Sequence, residues 1–158
     1  MSWPTPLILL DASVLLAAED RDDDQHEASL ALLRTGALAT IDLALYETTN
    51  VAGIRWQDQA AAARLRQRNW TIAELGTLIC ADPLLGDHIA EPAHEHGLSS
   101  YHAAYLAGSR RLGIPLASCD HRDLVSIGLA QLPSTLTDQL WGIAATTSIS
   151  TKSSAPWP

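Results

Sequence analysis

Two short apolar runs in this chain each stop at an aspartate: Leu7-Ile8-Leu9-Leu10 ends at Asp11, and Pro115-Leu116-Ala117-Ser118-Cys119 ends at Asp120. Apolar runs this short, without polar alternation, fit strands buried on both faces. A third such run, Leu38 to Ile41, lies between them. Helical signals separate all three, so strands alternate with helices, and that order predicts a parallel sheet covered on both sides. In such sheets chemistry gathers at the carboxyl ends of the strands, near the point where strand order reverses. One aspartate after a strand is ordinarily a turn residue or a helix cap. Two at equivalent places point to the same rim.

The intervening segments carry start and stop residues. Val14 to Ala18 begins a helix, and Asp24 is placed to cap another that runs through Leu33 and stops at Gly36. Asp42 caps a segment through Tyr46, Glu47, Asn50 and Val51 towards Gly53, and Asp58 to Trp70 is helical by its alanine and arginine content. Asp82-Pro83 and Gly86 break the chain before a helix of about ten residues that ends at Gly97. Ser99 and Ser100 then cap a helix from Tyr101 to Leu112, with Gly113 behind it. Arg122 to Ile127 reads as a short helix and Leu129 to Leu132 as a weak last strand. From Gly142 the chain is rich in Ser, Thr and Pro, which predicts one domain over 1–141 and a disordered tail over 142–158.

Composition removes several function classes. Eighteen acids against ten bases give a net charge of −8, so a broad basic face for nucleic acid is excluded while a local patch is allowed. The only lysine, Lys152, lies in the tail, so a phosphate-loop enzyme, a Schiff-base enzyme and an aspartate-nucleophile phosphatase all lack their ammonium group. No G-x-S-x-G elbow is present for a serine hydrolase. His94-Glu95-His96 has the wrong spacing for two ligands on one helix face. Cys80 and Cys119 form no C-x-x-C pair and read as free thiols. With no basic residue ahead of the first apolar run and no run of about 20 apolar residues, the expected location is the cytoplasm, away from membranes.

Glu47 adds a third acid to Asp11 and Asp120, since it is a lone carboxylate in an apolar helical segment. Three converging carboxylates cannot all stay ionised without a cation, so the economical expectation is a divalent metal site.

Four segments resemble the PIN-domain family, and within it the small VapC-type toxin ribonucleases of bacterial toxin–antitoxin pairs. They are Leu9-Leu10-Asp11-Ala12-Ser13-Val14-Leu15, Leu45-Tyr46-Glu47-Thr48-Thr49-Asn50-Val51, Leu98-Ser99-Ser100-Tyr101-His102-Ala103-Ala104-Tyr105-Leu106 and Pro115 through Leu124. The resemblance implies a three-layer α/β/α fold with a central, mainly parallel sheet. It further implies Mg²⁺ or Mn²⁺ held by Asp11, Glu47 and Asp120, with Ser13 and Ser118 orienting the carboxylates. The implied activity is cleavage of RNA phosphodiester bonds, and the implied partners are a cognate antitoxin and a second copy of the chain. One position departs from the family. Tyr101-His102-Ala103 stands where relatives carry Tyr-Asp-Ala, so histidine occupies a place expected to be acidic. His102 then ligates Mn²⁺ or another transition ion, or positions a water or phosphate; alternatively the protein is a degenerate interaction module that binds a partner without cleaving RNA. In a further alternative Asp123, one turn beyond Asp120, serves as the replacement acid and His102 is a bystander. For RNA contact the candidates are Arg55, Arg64 and Arg68, with Arg66 on another face of the same helix.

Overall fold

The computed structural model describes residues 5–35 and 37–150, with side chains through 142. Strand β1 (Ile8–Leu10) is followed by helices α1 (Ala12–Ala17) and α2 (His26–Leu33), then by β2 (Leu38–Ile41) and α3 (Leu43–Asn50). A π-helical turn over Val51–Arg55 leads to α4 (Gln59–Leu75), β3 (Thr77–Ile79), α5 (Pro83–His96) and α6 (Ser100–Leu112). β4 (Leu116–Ala117), a second π-helical turn over His121–Val125 and α7 (Pro133–Ser150) complete the order.

The four strands form one parallel sheet in the order β3-β2-β1-β4. Leu9 pairs with Ala39 on one side and Leu116 on the other, so β1 is central and Ile8, Leu9 and Leu10 are all buried. The chain leaves β1 towards β2 and returns to β1's other edge only at β4. Strand order therefore reverses between β1 and β4, and Asp11 and Asp120 follow those two strands. Helices flank the sheet in a three-layer α/β/α arrangement: α6 packs on β1, β2 and β4 and carries α5, while α4 packs on β2 and β3 and carries α3. Close approach of α6 to the sheet depends on small residues. A Cβ at Gly108 would stand 3.2 Å from side-chain methyls of Ile41 and Ile79.

Several local expectations change. β3 was not expected; α4 runs to Leu75, past Trp70, and Gly76 turns directly into the new strand. Gly76 passes so close to the Leu38 carbonyl that any side chain there would collide with it. Gly86 does not break α5, because Asp82 caps it (Leu85 N–H to Asp82 Oδ1, 2.7 Å) and Pro83 opens it. Asp42 makes no side-chain cap for α3 and instead accepts from the Ala81 N–H at 3.1 Å, joining the ends of β2 and β3. Asp24 likewise gives way: α2 starts after Gln25, whose amide donates to Asp23 and whose Oε1 accepts from the Ser134 N–H at the start of α7. Gly36, the expected stop of α2, lies outside the described residues. The weak strand near Leu129 reduces to a parallel bridge between Ala117 and Gln131. Because α7 is helical through Ser150, the boundary expected at 142 falls inside a helix; residues 151–158 of the expected tail lie outside the described residues. Cys80 and Cys119 are free. No helix among the described residues is long and apolar enough to cross a membrane.

Candidate metal centre

Asp11 does two jobs at the end of β1. Its backbone N–H continues the sheet by donating to Ala117 O at 3.1 Å. Its side chain caps α1, accepting from the N–H groups of Ser13 at 2.9 Å and Val14 at 3.3 Å and from the Ser13 hydroxyl. Asp11 is 3% exposed, and burial pushes its pKa up to about 6 despite opposing hydrogen bonds from Ser118, Ser13 and Val14. Desolvation penalises the charged form more than these donors favour it.

Two serines join this aspartate to the other strand end. Ser13 Oγ accepts from the Cys119 N–H at 2.8 Å and lies 3.4 Å from Ser118 Oγ, which accepts from the Asp120 N–H at 2.9 Å. Ser118 is fully buried, so its hydroxyl contacts are fixed. The Ser13–Ser118 pair therefore sets the spacing of the loops that carry Asp11 and Asp120.

Glu47 stands half-buried on α3 and receives a 2.6 Å hydrogen bond from the Tyr105 hydroxyl. Tyr105 is buried on α6, and its pKa is driven well above the usual range by burial and by the negative charges of Glu47 and Asp11. It stays protonated and acts only as a donor at ordinary pH. Tyr105 is not among the residues that the sequence marks for the site. The available signal was its position three residues after His102, which places both on one face of α6.

Asp120 caps the π-helical turn, with its Oδ1 accepting from the Asp123 N–H at 2.9 Å. His102 lies in the first turn of α6, its N–H bonded to the capping Ser99 hydroxyl at 3.2 Å. The ring stands between two acids: Nε2 is 3.0 Å from Asp120 Oδ2, and Nδ1 is 3.7 Å from Asp123 Oδ2. Nδ1 is buried and has no hydrogen-bond partner. His102, Asp120 and Asp123 thus present donor atoms within 4.8 Å of one another, the one such group among the described residues. Asp11 and Glu47 stand outside that group: the serine pair laces Asp11 to the Asp120 loop, and Tyr105 ties Glu47 to α6.

This donor set fits a divalent cation. Ligands at right angles around one ion with bonds of about 2.1 Å lie about 3.0 Å apart, the separation of His102 Nε2 and Asp120 Oδ2. A buried Asp11 carboxyl with a raised pKa is a group that a nearby cation would stabilise.

The arginines are disposed otherwise. Arg64 reaches Glu19 Oε1 at 2.5 Å and Arg68 reaches Glu19 Oε2 at 3.5 Å, so this shared face of α4 is turned onto an acid whose side chain is 7% exposed. Arg55 is exposed in the first π-helical turn. His96 contacts Glu95 and Arg110, and the His94-Glu95-His96 run forms no metal group among the described residues.

A parallel α/β sheet with acids clustered where its strand order reverses defines a class, an open α/β domain with a carboxylate-rich edge. Comparison with known proteins narrows it. A family model for the PIN domain matches residues 8–128, and the chain belongs to the PIN-domain family. Among solved structures it is similar to the Mycobacterium tuberculosis toxin VapC20 (21% identity, 77% of this chain and 95% of that one, TM-score 0.62). It is also similar to PAE2754 from Pyrobaculum aerophilum (25% identity, 87% and 97% of the chains, TM-score 0.62). A toxin–antitoxin complex from Klebsiella pneumoniae contains a third similar chain (16% identity, 80% and 97%, TM-score 0.60). A search of curated protein sequences finds no match.

Proposed function

We propose that the protein is a metal-dependent endoribonuclease and the toxin of a toxin–antitoxin pair, acting in the cytoplasm as a homodimer restrained by a cognate antitoxin. The observation that carries this reading is the lacing of the Asp11 and Asp120 loops through Ser13 and Ser118, which supports one acidic site at the strand-order reversal. The VapC20 structure is described as that of a sarcin–ricin loop cleaving toxin, which supports RNA as substrate.

Asp11 and Asp120 would hold Mg²⁺ or Mn²⁺, with Glu47 and the neighbouring His102 and Asp123 completing its surroundings. Such a cation supplies an acidified water and neutralises charge building on the phosphate oxygens. Glu47, steadied at one oxygen by Tyr105, leaves its other oxygen to orient the attacking water and take its proton. Ser13 and Ser118 would fix the Asp11 carboxylate while Ser118 holds the Asp120 backbone, so little reorganisation is needed when charge develops. The amide end of α6, which bears His102, favours an anionic phosphate nearby.

The test compares the wild-type protein with Asp11→Asn on a sarcin–ricin hairpin and other structured RNA, with Mn²⁺ or Mg²⁺ present. The variant is expected to lose roughly 100-fold or more of the cleavage rate, in line with removal of a group that stabilises transition-state charge. Equal cleavage by both proteins overturns the reading.

A further inference from the structure

We infer that His102, Asp120 and Asp123 make this centre select a first-row transition dication over Mg²⁺. The inference rests on the metal-centre reading above and adds to it the choice of ion.

The imidazole is aimed at the acids around it. Nε2 approaches Asp120 and Nδ1 approaches Asp123. A bystander histidine buries its ring nitrogens against donors or acceptors of its own, yet Nδ1 here is buried without any hydrogen bond. The backbone that carries the ring is held at the first turn of α6, where the His102 N–H is bonded to Ser99.

A neutral imidazole supplies no negative charge to balance the cation. Asp123 does. The π-helical turn and the Asp123 N–H to Asp120 Oδ1 bond bring the second carboxylate beside the first. The result is one nitrogen and a second carboxylate beside Asp120, added to the Asp11 carboxylate across the serine pair. Magnesium prefers oxygen, sheds water reluctantly and gains little from a nitrogen ligand. Transition ions gain increasingly along the series from Mn²⁺ to Cu²⁺, so Mn²⁺ is the most conservative probe.

Isothermal titration of the metal-free full chain with Mn²⁺ and with Mg²⁺, without RNA, tests this directly. The wild type is expected to bind Mn²⁺ roughly tenfold or more tighter than Mg²⁺, and His102→Asp to close most of that gap. Pulsed electron paramagnetic resonance of the bound Mn²⁺ is expected to show nitrogen coupling in the wild type. That coupling is expected to persist in His121→Ala, whose imidazole neighbours Asp120, and to vanish in His102→Asp. Equal affinities in the wild type, an affinity ratio unmoved by His102→Asp, or absence of nitrogen coupling each overturns the inference. If His102→Asp does not fold, the spectra of wild type and His121→Ala decide alone. Cleavage is not a readout here. Nitrogen-coupled Mn²⁺ on a protein that leaves RNA intact refutes the nuclease reading and upholds this one, whereas Mg²⁺-driven cleavage without nitrogen coupling does the reverse.

Discussion

The two ends of the acidic edge are built differently. Around Asp11 the groups are buried and bonded: two backbone N–H groups and a hydroxyl converge on one carboxyl, and the serine that serves it also accepts from the opposite loop. Around His102, Asp120 and Asp123 the side chains are about a quarter to a half exposed, and one ring nitrogen has no partner. The first half is rigid, its carboxyl fixed in position by its own hydrogen bonds at the cost of a raised pKa. The second has fewer bonds and more solvent around its side chains, as an exchangeable cation requires.

The largest expected effect breaks the bonded half by pH. A carboxyl at about 6 in the folded protein and about 3.9 in the unfolded chain binds more protons folded than unfolded. Stability therefore falls as pH rises between about 4 and 6, by about 3 kcal/mol from this group, and is level above. Asp11→Asn removes that slope, so the difference in unfolding free energy between variant and wild type should grow in the variant's favour across this window. Parallel curves would show that Asp11 is not buried as described. Adding a divalent cation at pH 7 should restore wild-type stability.

Next in size is Ser13→Ala, which takes a donor from Asp11 and an acceptor from Cys119 N–H at once. Two interactions of this kind are worth about 2–3 kcal/mol together when one involves a charged group, to be read by denaturant titration. Tyr105→Phe removes only the bond to half-buried Glu47 and should cost about 1–2 kcal/mol. In the nuclease assay it should lower the cleavage rate at saturating RNA with little change in the half-saturating RNA concentration. A loss confined to RNA binding would mean that Tyr105 does not position Glu47.

Legibility in the sequence follows range. An apolar run ending in aspartate is a local signal, so β1, β4, Asp11 and Asp120 can be read directly, as can the Ser99 and Gly113 boundaries of α6. Tyr105 cannot, because its partner is 58 residues away. Nor can the pairing of Arg64 with Glu19 across 45 residues, which turns a candidate RNA face onto an acid. β3 has three residues and exists because β2 pairs with it, while α7 is stabilised by packing on α2 rather than by its Ser/Thr-rich composition. His102 is intermediate: its chemistry stands out in sequence, but its ring lying between Asp120 and Asp123 depends on the meeting of α6 with the second π-helical turn.

Asp123→Asn is the smallest expected effect on stability and the sharpest test of the comparison. Asp123 is about half exposed, and its carboxylate stands near that of Asp120 across the same imidazole. Removing its charge relieves repulsion between like groups and leaves the Asp123 backbone bond to Asp120 in place. Metal-free stability should therefore change by no more than about 0.5 kcal/mol, as for surface substitutions away from special features. The same variant should lose most of the rise in melting temperature that Mn²⁺ gives the wild type, since that rise measures affinity for the folded state. If instead Asp123→Asn destabilises the metal-free protein as much as Ser13→Ala does, the open half is as tightly bonded as the other, and the contrast between the two ends of the edge fails.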